Sequence, residues 1–178
     1  MDEIPRHAPH SGRGEPIGAL AFALLTVSDT RGSANDVSGR VLRDLVKAAG
    51  HGVHASSIVP DEPLVVRERV LTWANDPSCD VIVSTGGTGL SARDHTVEAV
   101  ATLFDVRIDG FGELFRLLSF EQIGSAAMLS RATAGVVCLT PVFLLPGSPN
   151  AVTLALTRLV LPEIAHVVGE LKRHGPRA

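Results

Sequence analysis

Three glycines and two hydroxyls run together in Thr85-Gly86-Gly87-Thr88-Gly89, directly after the apolar stretch Val81 to Ser84. Glycines without Cβ atoms let backbone amides close on an anion, and Ser84, Thr85 and Thr88 add hydroxyls, so the loop suits a phosphate. The competing reading on composition, a glycine-rich tight turn, is the weaker of the two. Gly87-x-Gly89-x-x-Ala92, with Asp109 further on, matches a dinucleotide fingerprint. Arg93-Asp94-His95 nevertheless separates the glycines from the next helix, and two strand-helix units come first, which weighs against that reading. Asp61 and Asp94 both sit where a strand gives way to a helix. Brought to one sheet edge, the pair would hold Mg²⁺ against a polyphosphate; taken singly, each is a helix cap. Gly147, Ser148 and Pro149, within Pro146 to Asn150, suit either anion binding at a helix start or a proline-assisted turn. Ser28 and Asp29 close another apolar run. Glu113, in Gly110-Phe111-Gly112-Glu113, could bond a ligand's ring nitrogens or amino group, or be an exposed helix-start residue.

These residues need a frame that gathers them. Leu20 to Val27 is a continuous apolar run suited to a strand covered on both faces. Val37 to Ala49 carries a helical stripe that Gly50 ends. Val53 to Val59 reads as a second strand, followed by a helix from Pro63 to Ala74, and Val81 to Ser84 as a third. Helices are expected over Thr96 to Phe104, Phe111 to Phe120, Gln122 to Ser130 and from Asn150 onward, with extended segments at Val136 to Leu139 and Phe143 to Leu145. Alternating strands and helices imply an α/β fold with a mostly parallel sheet, whose ligands sit beyond the carboxyl ends of the strands. One domain is expected over residues 18–172, between an N-terminal tail, 1–17, and a C-terminal tail, 173–178.

Composition removes several function classes. The chain has 178 residues, 45% hydrophobic and 4% aromatic, with a net charge of −3. It lacks the basic footprint and the stacking platform of a nucleic-acid binder. Its two lysines, Lys47 and Lys172, do not follow a glycine loop, so the lysine-dependent phosphate loop is excluded. Cys79 and Cys138 are far apart and are expected as buried, reduced thiols rather than a disulfide or zinc site. The run Ala19 to Val27 ends in Ser28-Asp29-Thr30-Arg31 instead of a cleavage site, and no later segment approaches a membrane span, so a cytoplasmic location without membrane contact is expected.

Taken in order, Val27-Ser28-Asp29-Thr30, Pro60-Asp61-Glu62, Ser84 to Gly89, Arg93-Asp94-His95-Thr96, Gly110 to Glu113 and Leu145 to Pro149 resemble the molybdenum cofactor biosynthesis protein B and molybdopterin adenylyltransferase family, from about Leu20 to Leu161. His95 and Val97 depart from the family's pattern after the second aspartate. The resemblance implies a three-layer α/β/α molybdopterin-binding domain assembling as a homotrimer or homohexamer. It also implies Mg²⁺-dependent transfer of AMP from ATP to molybdopterin, with Asp61 and Asp94 as the functional aspartates. The alternative within the resemblance is a molybdopterin-binding or carrier protein with little or no transfer activity.

Overall fold

The computed structural model describes residues 18–174, so the segment 1–17, expected as a tail, and residues 175–178 lie outside the described residues. Strand β1 (Ala21–Val27) is the apolar run, buried over six of its seven residues. Its side chains alternate between two cores. Phe22 and Leu24 point to one and Ala23, Leu25 and Val27 to the other, as the two-residue period of a strand covered on both faces requires. Helix α1 (Val37–Ala48) follows, capped by Asp36, whose Oδ1 accepts from the Gly39 amide at 2.9 Å and Oδ2 from the Thr26 hydroxyl at 2.8 Å. Strand β2 (Gly52–Val59) pairs parallel to β1 with a register shift that skips His54. That bulge turns Val53 toward one core and Ala55 toward the other.

Helix α2 (Pro63–Ala74), strand β3 (Val81–Thr85) and helix α3 (Thr96–Ala101) come next. After them lie strand β4 (Val106–Arg107), helix α4 (Asp109–Ile123), a 3₁₀ segment (Gly124–Leu129), and strands β5 (Thr133–Val137) and β6 (Thr140–Leu145). The six strands run in the order β2-β1-β3-β6-β5-β4, with β2, β1, β3 and β6 parallel and β5 antiparallel to both its neighbours. Helices α1 and α4 and the C-terminal helix cover one face, and α2 and α3 the other. The architecture is the three-layer α/β/α arrangement with a mostly parallel sheet.

Several sequence expectations shift. The extended segment Val136 to Leu139 is broken, because Cys138 (φ 49°) and Leu139 (φ 66°) form the two-residue turn of the β5–β6 hairpin. Two consecutive positive φ angles are a type I′ signature usually marked by Asn-Gly, and no such pair is present. Cys138 is therefore exposed, contrary to expectation, while Cys79 is buried and its thiol is pushed up to about 11 by burial. Gly124 (φ 60°) ends α4, so the helix expected over Gln122 to Ser130 is divided: Gln122 and Ile123 close α4 and Gly124–Leu129 is 3₁₀. The chain also contains a helix of membrane-spanning length. Helix α5 (Pro149–Ala155), a π turn (Leu156–Val160) and α6 (Leu161–His174) run on without a break, giving a 25-residue apolar helix over Pro149–Arg173. Its Val152, Leu156, Val160, Ile164 and Val168 are spent on the core. The π turn lies just ahead of Pro162, which has no N–H to donate and whose ring crowds the carbonyl four residues earlier.

Candidate active site

The four parallel strands deliver their carboxyl-end loops to one edge. The chain leaves β1 for β2 on one side and returns to β3 on the other, creating the switch point at which open α/β sheets bind ligands. A cleft of about 560 Å³ opens there, within the range that holds a small-molecule ligand.

Asp61 follows β2, in position to cap α2. That helix instead has Glu62 at its N-cap position with no side-chain cap bond. Asp61 reaches across to the start of α3, where its two carboxylate oxygens accept from the His95 amide at 3.3 Å each and Oδ1 accepts from the Thr96 hydroxyl at 3.4 Å. Its own amide donates to Asp29 Oδ1 at 3.1 Å. Burial and the negative charge of Asp94 push the Asp61 carboxyl above the usual carboxylate range, against the pull of the bonds from His95 and Thr96. Asp94 Oδ2 accepts from the Ser91 amide at 2.9 Å. Asp29 also pairs with Arg93 at 2.9 Å.

The glycines hold this arrangement together. A Cβ on Gly87 (φ +64°) would lie 2.0 Å from Thr96 Oγ1 and 2.3 Å from Asp61 Oδ2, and one on Gly89 would lie 2.7 Å from Asp94 Oδ2. At Gly86 (φ +101°) a Cβ would strike the Val27 carbonyl at 2.1 Å. The space left by the missing side chains is thus filled by the two aspartates and by β1. Arg131, which leads into β5, fastens the same loop. It donates to the Thr88 carbonyl at 3.2 Å and the Asp94 carbonyl at 2.9 Å, and pairs with Glu98 on α3. On the β6 side, the Gly147 carbonyl accepts from the Ser38 hydroxyl at 2.7 Å and from Arg31 at 3.0 Å, while Ser148 Oγ caps α5 through the Ala151 amide at 3.2 Å.

Of the residues singled out from sequence, Ser28, Asp29, Asp61, Gly86, Gly87, Thr88, Gly89, Asp94, Gly147 and Ser148 line one cleft. The others fall outside its wall. Ser84 is fully buried, and its hydroxyl is without a hydrogen-bond partner. Thr85 is buried and donates to the Pro146 carbonyl at 2.8 Å. Pro149 begins α5 behind Ser148, and Glu113 is exposed on α4. The fingerprint reading also fails locally, since α3 starts only at Thr96. Sequence reading places Arg31 and Arg93 in strand-end loops without giving either a role, and passes over the apolar wall formed by Phe115, Ile123, Leu129 and Leu154. The apolar side chains carry no local signal that separates a cleft wall from a core face.

Asp61 and Asp94 fit a divalent cation as a partial ligand set. No group of three or more His, Cys, Asp or Glu among the described residues could hold a metal unaided, but Mg²⁺ takes one or two carboxylates with the rest of its oxygens from substrate and water.

Residues 23–166 match the family model described as a probable molybdopterin binding domain. The chain is 47% identical over 151 residues to molybdenum cofactor biosynthesis protein B of Bacillus subtilis (strain 168), covering 84% of this chain and 89% of that protein. It superposes on a crystal structure of a molybdenum cofactor biosynthesis protein B with a TM-score of 0.86 at 45% identity, covering 88% of this chain and 98% of the other. It is also similar to the tungsten cofactor synthesizing protein MoaB from Pyrococcus furiosus, with a TM-score of 0.78 at 36% identity over 86% and 98% of the two chains.

Proposed function

The chain belongs to the molybdopterin-binding family of molybdenum cofactor biosynthesis proteins and acts in the synthesis of that cofactor; from that premise we propose that it transfers AMP from ATP to molybdopterin. The observation that carries this reading is the convergence of Asp61 and Asp94 on the glycine loop within one cleft at the carboxyl edge of the sheet. An oxygen of the molybdopterin phosphate attacks the α-phosphorus of ATP. The new P–O–P linkage forms as the bond to the β-phosphate oxygen breaks, and pyrophosphate leaves with its electron pair. Such a displacement needs two polyanions aligned and their charge offset, with no protein nucleophile. Mg²⁺, held by Asp61 and Asp94, would neutralise charge on the ATP phosphates. The glycine-loop amides and Ser148 orient the phosphates, and the apolar wall excludes water from one side of the cleft.

One observation favours binding without transfer: both carboxylates already accept backbone amides, the bonds of purely structural caps. Incubation with molybdopterin and Mg-ATP separates the two. Transfer releases pyrophosphate in step with pterin consumption, whereas a carrier binds the pterin and releases none. A cytoplasmic location and a homotrimeric or homohexameric assembly accompany the proposal.

A further inference from the structure

Five charged side chains line the cleft: Asp29, Arg31, Asp61, Arg93 and Asp94. Arg93 is neutralised by Asp29, and its side chain is 79% exposed. Arg31 differs in both respects. It is half-buried, and no carboxylate among the described residues pairs with it. Its position is fixed at two points. The backbone amide donates to Ser28 Oγ at 3.1 Å, and Nη2 donates to the Gly147 carbonyl at 3.0 Å. That carbonyl is itself held by the Ser38 hydroxyl. The guanidinium therefore spans from the β1 loop to the β6 loop with one of its five N–H donors spent. Two hydroxyls accompany it on the cleft wall. Ser28 Oγ accepts from the amides of Thr30 and Arg31, and Ser148 Oγ from that of Ala151, so each hydroxyl hydrogen is left to donate outward.

We propose that Arg31, with the hydroxyls of Ser28 and Ser148, forms the subsite for the phosphomonoester of the acceptor, the phosphate that attacks ATP. This rests on the transfer reading above and adds to it an assignment of the two anions to the two sides of the cleft. Bare carboxylates repel phosphate, so the Asp61 and Asp94 side receives the phosphates that bring a metal. A phosphomonoester that carries none needs a protein cation. Arg31 is permanently charged and forked, and its anchored position lowers the cost of fixing it on two oxygens of one phosphate. The third oxygen stays free to attack.

The test is titration of the full chain with molybdopterin in metal-free buffer, followed by the pterin's fluorescence, beside a separate titration with Mg-ATP. Arg31→Ala should weaken molybdopterin binding by about tenfold or more, the size of a lost charged hydrogen bond. Mg-ATP binding should stay within about twofold. Arg40→Ala, which removes an equal charge from the exposed face of α1, should leave both unchanged. A folded Arg31→Ala protein with unchanged molybdopterin affinity, or one that loses Mg-ATP instead, overturns the assignment. Dephosphorylated molybdopterin on the unaltered protein serves if the variant does not fold: it should bind about tenfold or more weakly than the intact pterin, and equal binding of the two pterins overturns the assignment. Because every arm reads binding, an absence of pyrophosphate release would refute transfer without touching this result.

Discussion

At the residue scale, two carboxylates belong at once to the fold and to the site. Asp61 sits above the usual carboxylate range because burial and Asp94 disfavour its charge. A carboxyl raised on folding supports the fold fully only below its unfolded pKa, and that support is lost as pH rises through the folded value. At neutral pH its ionisation therefore opposes folding. Asp61→Asn should show no loss of thermal stability at neutral pH, and its advantage over the parent should vanish on acidification below the ordinary carboxylate range; a drop in melting temperature at neutral pH would contradict this. The same substitution, and Asp94→Asn, should lower the Mg²⁺-dependent transfer rate by on the order of 10² or more, as for removal of a main electrostatic group, with steady-state pyrophosphate assays as the check. Gly87 is a separate case. From sequence alone Gly87→Val would harm ligand binding more than stability, but the first carbon of the valine side chain would overlap Thr96 and Asp61 at a positive φ. Both melting temperature and activity should therefore fall together, and a stable, inactive Gly87→Val protein would show that the overlap is relieved. That Asp61 and Asp94 are junction residues is readable in the sequence. That Asp61 serves α3 rather than α2 is not, because the partner lies 34 residues away.

At the scale of elements, the loops are legible where composition marks them and obscure where it does not. The glycine loop, the proline at the start of α2 and the apolar strands follow from residue types alone. Strand β4 has only two residues, both exposed, too few for any alternation to register. The Cys138-Leu139 turn lacks the residues that usually take positive φ, so the sequence carries the first extended segment through the turn to Leu139 and starts the second only at Phe143. Arg131 is the least visible in sequence, since nothing near it indicates that one guanidinium joins the carbonyls of Thr88 and Asp94 to Glu98 on α3. Between Gly89 and Arg93 the loop is exposed throughout; Asp94 is bonded to Ser91 within it, and the Arg131 clasp ties the Asp94 carbonyl to Thr88 and α3. Arg131→Ala should raise the Mg²⁺ concentration needed for half-maximal activity by several-fold, with hydrogen exchange accelerating in residues 88–95 and little elsewhere. Arg131→Lys, which can reach one carbonyl but not both with fork geometry, should recover only part of the loss. Unchanged Mg²⁺ dependence in Arg131→Ala would show that the loop holds Asp94 without it.

For the whole molecule, the three-layer fold and its cleft follow from alternating strands and helices, but the surface of α4 can be read two ways from sequence. Its phenylalanines divide. Phe111 and Phe115 are buried in the core, whereas Leu114, Leu117, Phe120 and Ile123 are 51 to 59% exposed, beside Met128 at 78%. Under the proposed assembly this apolar strip is the association surface, and copies of this chain related by rotation are its occupants, as expected from the resemblance to proteins that form trimers or hexamers. Light scattering should give a mass of three or six chains, and Leu117→Glu with Phe120→Glu should lower it; a single-chain mass across a wide dilution range would contradict the assembly. Whether this protein moves AMP onto molybdopterin is decided by ATP labelled at the α-phosphorus. Incubation with molybdopterin and Mg²⁺ should place the label on the pterin, one labelled pterin per pyrophosphate released. Label that stays on ATP while the pterin binds, or that appears only as free AMP, would contradict the transfer.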